Sequence, residues 1–318
     1  MNDVVSIILT TFKRPELLNR SLRSALSQSY NNLEVIVVDD NDPNSVERKM
    51  TGELIKTEFS AYKNLNYVLM SHNSGACAAR NYGVSISKGK YINFLDDDDE
   101  MRPDKIEKQV RLFEADKDEK LAAVGCYGEV VDEHGNHISD IKDDVKGDVF
   151  FHNLCYIVGI TSQILLRRDT YIKSGGFEKM YSSQDHWMLI RLFSVSPYYD
   201  YVAEPLVKIY HHSGTRISTN NNKPLGAVEL YKKCEAFYDR LTPAQVIKLK
   251  KIRNEHIISA FLHQNRRKES LRYWKKGIKD RSKCDIYDIR RLINILLGEK
   301  SFRRIVVLLS KLKHKILS

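Results

Sequence analysis

The first hundred residues alternate between two patterns of apolar and polar positions. Four short runs are apolar throughout and have the length of buried strands: Val4–Thr11, Leu33–Val38, Leu65–Met70 and Tyr91–Leu95. Three segments with apolar residues at helical spacing separate them: Leu17–Leu26, Ser45–Phe59 and Asn73–Ser87. This alternation predicts βαβ units that build a parallel sheet covered by helices on both faces.

The pattern becomes less regular after residue 103. It predicts a helix from Pro103 to about Ala115, followed by a strand, Leu121–Val131, and a hairpin turn. Further on it predicts two more strands and a helix between them: Gly159–Leu166, Gln184–Phe193 and Tyr198–Tyr210. From about Leu225 only helical signals remain, so we predict one domain over residues 1–220 and a helical, basic region over 221–318, with the boundary in the polar stretch 219–224.

Composition is that of a globular protein with an uneven charge. Of the 318 residues, 42% are hydrophobic, and the five cysteines form no CxxC pair. We therefore expect buried free thiols in a reducing cytosol. No signal peptide and no apolar run of transmembrane length is expected. The net charge of +10 comes from the C-terminal quarter, because Leu241–Ser318 carries 21 Lys and Arg against 6 Asp and Glu.

The acidic run Asp96–Asp99, followed by Glu100, is the strongest chemical signal. It comes directly after an apolar strand, at the edge where open α/β sheets bind ligands. Two carboxylates ~4 Å apart repel by about 4 kcal/mol at an effective dielectric of 20, and a divalent cation removes that cost. Mg²⁺ and Mn²⁺ take carboxylate oxygens together with substrate phosphates. Capping of the next helix needs only one or two aspartates, so the run predicts a metal site.

Two weaker signals fall on the same edge of the predicted sheet. Asp39 and Asp40 end the second apolar run, and a carboxylate there can accept from a nucleobase N–H or a ribose hydroxyl, although the residues that follow also favour a turn. Thr10 to Phe12 end the first run and could pack against a base.

Together these segments resemble the family 2 glycosyltransferases of the GT-A fold. The resemblance rests on motifs that occur in one order between residues 4 and 218: Val5–Phe12, Leu26–Tyr30, Glu34–Asp40, Asn73–Gly75, Arg80-Asn81, Gly89–Ile92, Phe94–Asp99, Gly175–Phe177 and Gln184–Trp187. It implies a Rossmann-like, mainly parallel mixed sheet flanked by helices, with a helical C-terminal extension. It also implies transfer of a sugar from a nucleotide-sugar donor, a UDP-sugar, with Mn²⁺ or Mg²⁺.

The resemblance also implies roles for individual residues. Asp40 matches the aspartate that holds the uracil, with Thr10 and Phe12 beside the base. Asp96 matches the first aspartate of the DxD motif, near the ribose, and Asp98 its last, the metal ligand. The residues expected in the remaining roles are Arg80 at the phosphates, Asp97 in place of a neighbour, and Asp185 as the catalytic base.

The sequence departs from the family pattern in three places. Residue 184 is Gln where Glu is common, and the acidic run has one aspartate more than usual. The family's Arg-x-His segment is here Tyr210–Gly214 and lacks its arginine, so His212 is a weaker metal candidate. Local sequence alone would interpret Asp185, which follows Ser182-Ser183, as a helix cap.

The basic C-terminal region mixes apolar residues with Lys and Arg over residues 290–317. This pattern is typical of an amphipathic helix on an anionic bilayer, and also of a helix packed on a domain with a solvated basic face. The membrane interpretation suits an acceptor carried on a polyprenyl diphosphate lipid. It predicts a cytoplasmic enzyme at the inner face of the cell membrane, in surface-polysaccharide or O-antigen biosynthesis.

Two other functions remain open from the sequence. A sugar-phosphate nucleotidyltransferase also uses carboxylates and a metal, but Thr10–Pro15 lacks the glycines of its phosphate loop. A nucleic-acid-binding protein could use the basic region. Aromatic residues are sparse there and no nucleic-acid motif matches, so we expect no nucleic-acid partner.

Overall fold

The computed structural model describes residues 3–211, 222–281 and 286–298. These residues form two compact units. The first comprises residues 3–179 and 184–211, and the second comprises residues 180–183, 222–281 and 286–298. Residues 219–221 of the predicted boundary at 219–224 lie outside the described residues, and the boundary stays a prediction.

The first unit is built on a mixed sheet. Its strands are β1 (Val5–Thr11), β2 (Leu33–Asp39), β3 (Leu65–Leu69), β4 (Tyr91–Asp96), β5 (Glu100–Met101), β6 (Leu121–Asp132), β7 (His137–Ile141), β8 (Gly147–Asp148), β9 (Leu165–Arg167) and β10 (Tyr198–His211). The order is β3-β2-β1-β4-β9-β6-β10-β5, with β7 beside β6 and β8 beside β10. Strands β3, β2, β1 and β4 are parallel, whereas β9 runs antiparallel to both of its neighbours.

Helices cover both faces of this sheet. They are α1 (Pro15–Leu26), α2 (Val46–Glu58), α3 (Ala76–Ile86), α4 (Lys105–Ala115), α5 (Phe150–Cys155), α6 (Arg168–Ser174) and α7 (Gln184–Val195). Pro15 occupies the first turn of α1, where its missing N–H costs nothing. The Ser45 hydroxyl caps α2 by accepting from the Arg48 N–H at 3.1 Å.

The continuous apolar character of the strands follows from this two-sided burial. Ile7 and Leu9 pack in a cluster with Leu18 of α1. On the opposite face, α3 approaches so closely that a Cβ at Gly83 would lie 2.5 Å from Ile8 Cγ2. The prediction of a mainly parallel, Rossmann-like core flanked by helices is therefore confirmed.

The prediction of one strand over Gly159–Leu166 is wrong. Thr161–Gln163 form a short 3₁₀ helix and only β9 is extended. The Gln163 side chain explains the difference, because its Oε1 accepts from the Ile160 N–H at 3.0 Å and its Nε2 donates to the Cys126 carbonyl at 2.7 Å. These bonds take the place of ladder bonds. The short helices α5 and α6 were also not predicted.

The second unit is helical in its described parts, as predicted for the C-terminal region. It contains α8 (Lys223–Cys234), α9 (Pro243–His263), α10 (Arg267–Arg281) and α11 (Ile286–Leu297). A capping box between Thr242 and Gln245 begins α9. None of the helices in the described ranges combines the length and apolar character that crossing a bilayer requires.

Candidate active site

The carboxyl ends of three parallel strands bring the predicted site residues to one edge of the sheet. Thr10 of β1 pairs in register with Asp96 of β4, and Thr11 pairs with Asp39 of β2. The acidic residues that follow β2 and β4 therefore flank the end of β1. The sequence predicted this shared edge, because each acidic segment directly follows an apolar strand.

Asp40 caps the chain that leads into α3. Its Oδ1 accepts from the Ser74 N–H at 2.8 Å, and its Oδ2 accepts from the Gly75 N–H at 2.8 Å and the Asn73 side-chain amide at 3.1 Å. A carboxylate has about four acceptor positions, so one position remains beyond these three. Asp40 is thus held rigidly at the sheet edge by a structural role that the sequence did not reveal.

Asp39 is buried, and its carboxylate is bonded to other side chains of the protein. Its carboxylate accepts from the Tyr67 hydroxyl at 2.6 Å and lies 3.2 Å from Nε of Arg48. The neighbouring loop after β1 is bonded to the residue that follows Asp40. There, Lys13 has a φ of 59°, and its N–H donates to the Asn41 side chain at 2.7 Å. Phe12, next to Lys13, is exposed, so its ring is accessible to a planar ligand.

The carboxylate groups of three of the four consecutive aspartates lie close to one another. Carboxylate oxygens of Asp96, Asp98 and Asp99 all lie within 4.8 Å of one another. A tight turn, in which the Asp99 N–H donates to the Asp96 carbonyl at 3.1 Å, produces this convergence. Ser162 supports it, because its hydroxyl donates to Asp99 Oδ2 at 2.6 Å and accepts from the Asp96 N–H at 3.3 Å. We call Asp96, Asp98 and Asp99 the carboxylate cluster.

The carboxylate cluster has the donor set of a hard divalent cation. Mg²⁺ and Mn²⁺ prefer carboxylate oxygens, keep several waters and complete their shell with substrate phosphates. Asp98, the predicted metal ligand, and Asp96 are both in the cluster. Asp99 is a further member that the sequence could not distinguish within a run of four aspartates.

Asp97 points away from the cluster into the protein. It is 1% exposed, and its Oδ1 lies 2.7 Å from the Arg14 guanidinium, which also reaches Asp98 Oδ2 at 3.1 Å. Burial raises the pKa of Asp97 to about 7, although Arg14 opposes that rise. The structure therefore does not bring Asp97 together with the other predicted nucleotide-binding residues.

Helix α1 holds the acidic loop by its backbone as well. The Ser21 hydroxyl donates to the Asp97 carbonyl at 2.7 Å, and the Arg20 guanidinium donates to the Asp98 carbonyl at 2.8 Å. Arg20 also lies 3.4 Å from the centroid of the Tyr210 ring. We call Arg14, Arg20 and Ser21 the α1 clamp. The sequence does not predict this clamp, because nothing local links these residues to the acidic run.

Arg80 is bonded to the carboxylate cluster and acts electrostatically on Asp185. Its guanidinium donates to Asp96 Oδ1 at 2.7 Å and packs over the Phe177 ring at 4.9 Å. Arg80 and Asp96 also influence the electrostatics of Asp185. Burial raises the pKa of Asp185, and the charge of Asp96 adds to the rise, whereas Arg80 opposes it.

Asp185, the second residue of α7, has one carboxylate oxygen already engaged. Its Oδ1 accepts from the adjacent His186 N–H at 2.8 Å. The elevated pKa makes the carboxylate a stronger base than an exposed aspartate, which is a property that general bases require. The remaining predicted residue, His212, lies outside the described residues, and its metal-binding role stays a prediction.

Comparisons with known proteins show the family to which the chain belongs. The family model described as glycosyl transferase family 2 matches residues 6–171, which is more than half of the chain. The chain therefore belongs to glycosyltransferase family 2. It is 28% identical over 256 residues to an uncharacterised glycosyltransferase of Rickettsia conorii, with 78% of this chain and 40% of that protein covered. The chain thus spans less than half the length of that relative.

One relative of known context belongs to polysaccharide biosynthesis. The amylovoran biosynthesis glycosyltransferase AmsB of Erwinia amylovora is 26% identical over 232 residues, which cover 70% of this chain and 74% of AmsB.

Solved structures identify the fold as GT-A. S. aureus TarS in complex with UDP-GlcNAc matches with a TM-score of 0.62 at 15% identity, over 92% of this chain and 79% of that one. The mannosyltransferase PcManGT of Pyrobaculum calidifontis, in complex with GDP-Man and Mn²⁺, matches with a TM-score of 0.57 at 16% identity, over the same shares.

Proposed function

We propose that this glycosyltransferase moves a sugar from a UDP-sugar to a hydroxyl of a saccharide acceptor, with inversion at the anomeric carbon and with Mn²⁺ or Mg²⁺. The carboxylate cluster at the sheet edge, with Arg80 bonded to Asp96 and lowering the pKa of Asp185, is the observation that carries the proposal. The ligands of TarS and PcManGT, a UDP-sugar and a GDP-sugar with Mn²⁺, support a nucleotide-sugar donor.

The donor would lie along the ends of β1, β2 and β4. Its base would stack near Phe12 and Thr10, and its uracil N–H would use the remaining acceptor position of Asp40. Asp96 would contact the ribose and Asp98 would hold the cation, with Asp99 as a further ligand. When bound, the cation would neutralise charge on the diphosphate leaving group.

Arg80 would bind the diphosphate from its position beside Asp96. Its guanidinium carries a positive charge beside Asp96 and close enough to Asp185 to lower the pKa of that carboxyl. A charge already in place where negative charge develops costs no reorganisation during the reaction. Arg80 would therefore bind the departing phosphate oxygens, while its charge continues to act on both Asp96 and Asp185.

Asp185 would take the proton of the acceptor hydroxyl. Since Oδ1 accepts from the His186 N–H, we assign the proton to Oδ2. The acceptor oxygen forms its bond to the anomeric carbon as the bond from that carbon to the diphosphate oxygen breaks, and the bonding pair leaves with the diphosphate. Attack from the opposite face inverts the configuration, so an α-linked donor gives a β-linked product. Retained configuration in an NMR spectrum of the product would refute this mechanism.

For the acceptor, we propose a saccharide on a polyprenyl diphosphate, in surface-polysaccharide or O-antigen biosynthesis. The polysaccharide context of AmsB supports the pathway class. The lipid carrier rests on the basic, amphipathic C-terminal region, much of which lies outside the described residues. Such an enzyme would work at the inner face of the cell membrane.

Calorimetric titration of UDP with and without Mn²⁺ tests the donor site. We expect UDP binding that requires Mn²⁺ and is lost in Asp98→Ala. Lys108→Ala, on the surface of α4, is the control and should bind as the unmodified protein does. Binding of GDP or dTDP in place of UDP would keep the mechanism and contradict the choice of base. The absence of nucleotide binding under all conditions would contradict the whole proposal.

A further inference from the structure

Two motifs of the sequence, Arg80-Asn81 and Gly175–Phe177, are in contact within the first unit. Asn81 follows Arg80 in α3, and Phe177 ends the short turn that follows α6. We propose that Asn81 is a positioning residue, which holds the main chain of Phe177 so that the Phe177 ring fixes the guanidinium of Arg80 for the diphosphate. The inference rests on the role proposed above for Arg80.

The side-chain amide of Asn81 bonds both polar groups of the Phe177 main chain. Its Nδ2 donates to the Phe177 carbonyl at 2.8 Å, and its Oδ1 accepts from the Phe177 N–H at 2.9 Å. Oδ1 also accepts from the Tyr171 hydroxyl at 2.6 Å, so the partners determine which way the amide is oriented. A carboxylate has no hydrogen to donate, and this pair of bonds therefore requires an amide.

The turn before Phe177 is built to approach Asn81 closely. Gly175 and Gly176 have φ angles of 85° and 65°, in the left-handed region that favours glycine. A Cβ on Gly176 would lie only 2.7 Å from Asn81 Oδ1. The glycines therefore permit a contact between the turn and α3 that a larger residue would prevent.

The ring of Phe177 carries this contact to the active site. Phe177 is 4% exposed, and the centroid of its ring lies 4.9 Å from Cζ of Arg80. The ring of Phe94 in β4 packs edge-on against it, with centroids 5.2 Å apart. An aromatic face attracts a cation and so favours one position of the guanidinium. From that position Arg80 donates to Asp96 Oδ1 at 2.7 Å.

The turn is also bonded to α7, so it does not depend on α3 alone. The Arg191 guanidinium donates to the Gly176 carbonyl, and the Trp187 indole N–H donates to Glu178 Oε2 at 2.7 Å. These bonds should keep the turn folded when those from Asn81 are lost. The effect of such a loss is then local, at the aromatic ring and at the guanidinium that it supports.

Nitrogen-15 NMR of the ligand-free chain, labelled at arginine, tests whether Asn81 positions Arg80. The guanidinium signal that is missing in Arg80→Gln belongs to Arg80. In Phe177→Leu the aromatic ring is absent, and this variant shows where the signal lies without its support. We expect Asn81→Ala to move the signal in the same direction. A signal that stays in place in Asn81→Ala would overturn the proposal.

Two matched variants at another part of the sheet control for general disturbance. Asn64→Ala removes a side-chain amide that donates to the Leu33 carbonyl at 3.3 Å. Phe59→Leu removes a buried ring whose centroid lies 5.1 Å from the Arg23 guanidinium. Both should leave the Arg80 signal unchanged. Thermal melting verifies that every variant folds, and Asn81→Ser is measured if Asn81→Ala does not.

Calorimetric titration of UDP with Mn²⁺ tests whether this placement matters for the diphosphate. Asn81→Ala should weaken UDP binding about tenfold, since a hydrogen bond to a charged group contributes on that order. In an Arg80→Gln background the same change should have no further effect, because Asn81 acts through Arg80. Additive losses would indicate a merely structural role and overturn the proposal. Absence of UDP binding by the unmodified chain would instead contradict the donor site, whereas the guanidinium signal tests Asn81 without any nucleotide.

Discussion

The guanidinium of Arg80 donates to the carboxylate of Asp96 at 2.7 Å and, from the same position, opposes the elevated pKa of Asp185. One side chain of α3 therefore joins the proposed metal-binding edge to the proposed base. Its positive charge has two effects. It offsets the negative charge of the carboxylate cluster, and it limits the rise in the pKa of Asp185. This coupling can be tested by separating the charge of Arg80 from its shape.

Arg80→Gln should move the acidic limb of the pH–rate profile to higher pH. Arg80 lowers the pKa of Asp185, so its removal raises that pKa, and the base becomes protonated at a higher pH. We also expect kcat/KM to fall on the order of 10²-fold, as when one fixed electrostatic donor is lost. Arg80→Lys keeps the charge, and its acidic limb should stay near that of the unmodified enzyme. An unshifted limb in Arg80→Gln would contradict the coupling.

Single amide substitutions in the acidic run should separate metal ligands from the buried neighbour. Asp98→Asn and Asp99→Asn each remove a member of the carboxylate cluster, and Mn²⁺ affinity should fall by more than ~100-fold. Asp97→Asn should lower it by only about tenfold, because the Asp97 side chain reaches the cluster indirectly, through the Arg14 guanidinium that it shares with Asp98. Electron paramagnetic resonance of free Mn²⁺ in the presence of UDP measures all three. If Asp97→Asn were as damaging as Asp98→Asn, the assignment of ligands would be wrong.

The Ser21 hydroxyl should matter for both stability and metal binding, although it contacts no ligand. Ser21→Ala leaves the buried Asp97 carbonyl without its 2.7 Å donor, at a cost of about 1 kcal/mol in the free energy of unfolding. The acidic loop loosens as well, and we expect roughly tenfold weaker Mn²⁺ binding. Ser27→Ala is the matched control, because that hydroxyl only donates to Ser24 in its own helix. Denaturant unfolding and Mn²⁺ titration give the two readouts.

The strand-end carboxylates were predictable because they depend on local pattern and on sheet geometry. Apolar runs fixed the strands, and parallel strands of similar length place their ends together. Asp40, Asp96 and Asp98 therefore fell on the predicted edge. The family resemblance then supplied Asp185, whose local sequence alone indicates only a helix cap.

The orientation of each aspartate was not predictable in the same way. The turn closed by the Asp99 N–H and the Asp96 carbonyl directs Asp97 inward and the other carboxylates together. That turn is stabilised by Ser162 and by the α1 clamp, which lie far away in the sequence. Contacts of this kind form only when the sheet brings α1 to the acidic loop. The periodicity and spacing of residues in the sequence therefore do not predict them.

The ammonium group of Lys105, at the start of α4, is buried, and we expect its burial to lower the free energy of unfolding. It is fully buried, and its Nζ has no hydrogen-bond partner among the described residues. Burial lowers its pKa from 10.5 to about 8. The folded state therefore disfavours the charged form: the penalty is fully present below pH 8 and disappears as the pH rises toward 10.5.

Lys105→Met should raise the free energy of unfolding by about 3 kcal/mol at pH 7, since one pKa unit is ~1.4 kcal/mol. The gain should vanish near the unfolded pKa of lysine. Lys108→Met, on the surface of the same helix, should show no such trend between pH 7 and 10.5. Thermal melting across this pH range makes the comparison, and a gain for Lys105→Met that did not change with pH would indicate better packing instead of the removal of a buried charge.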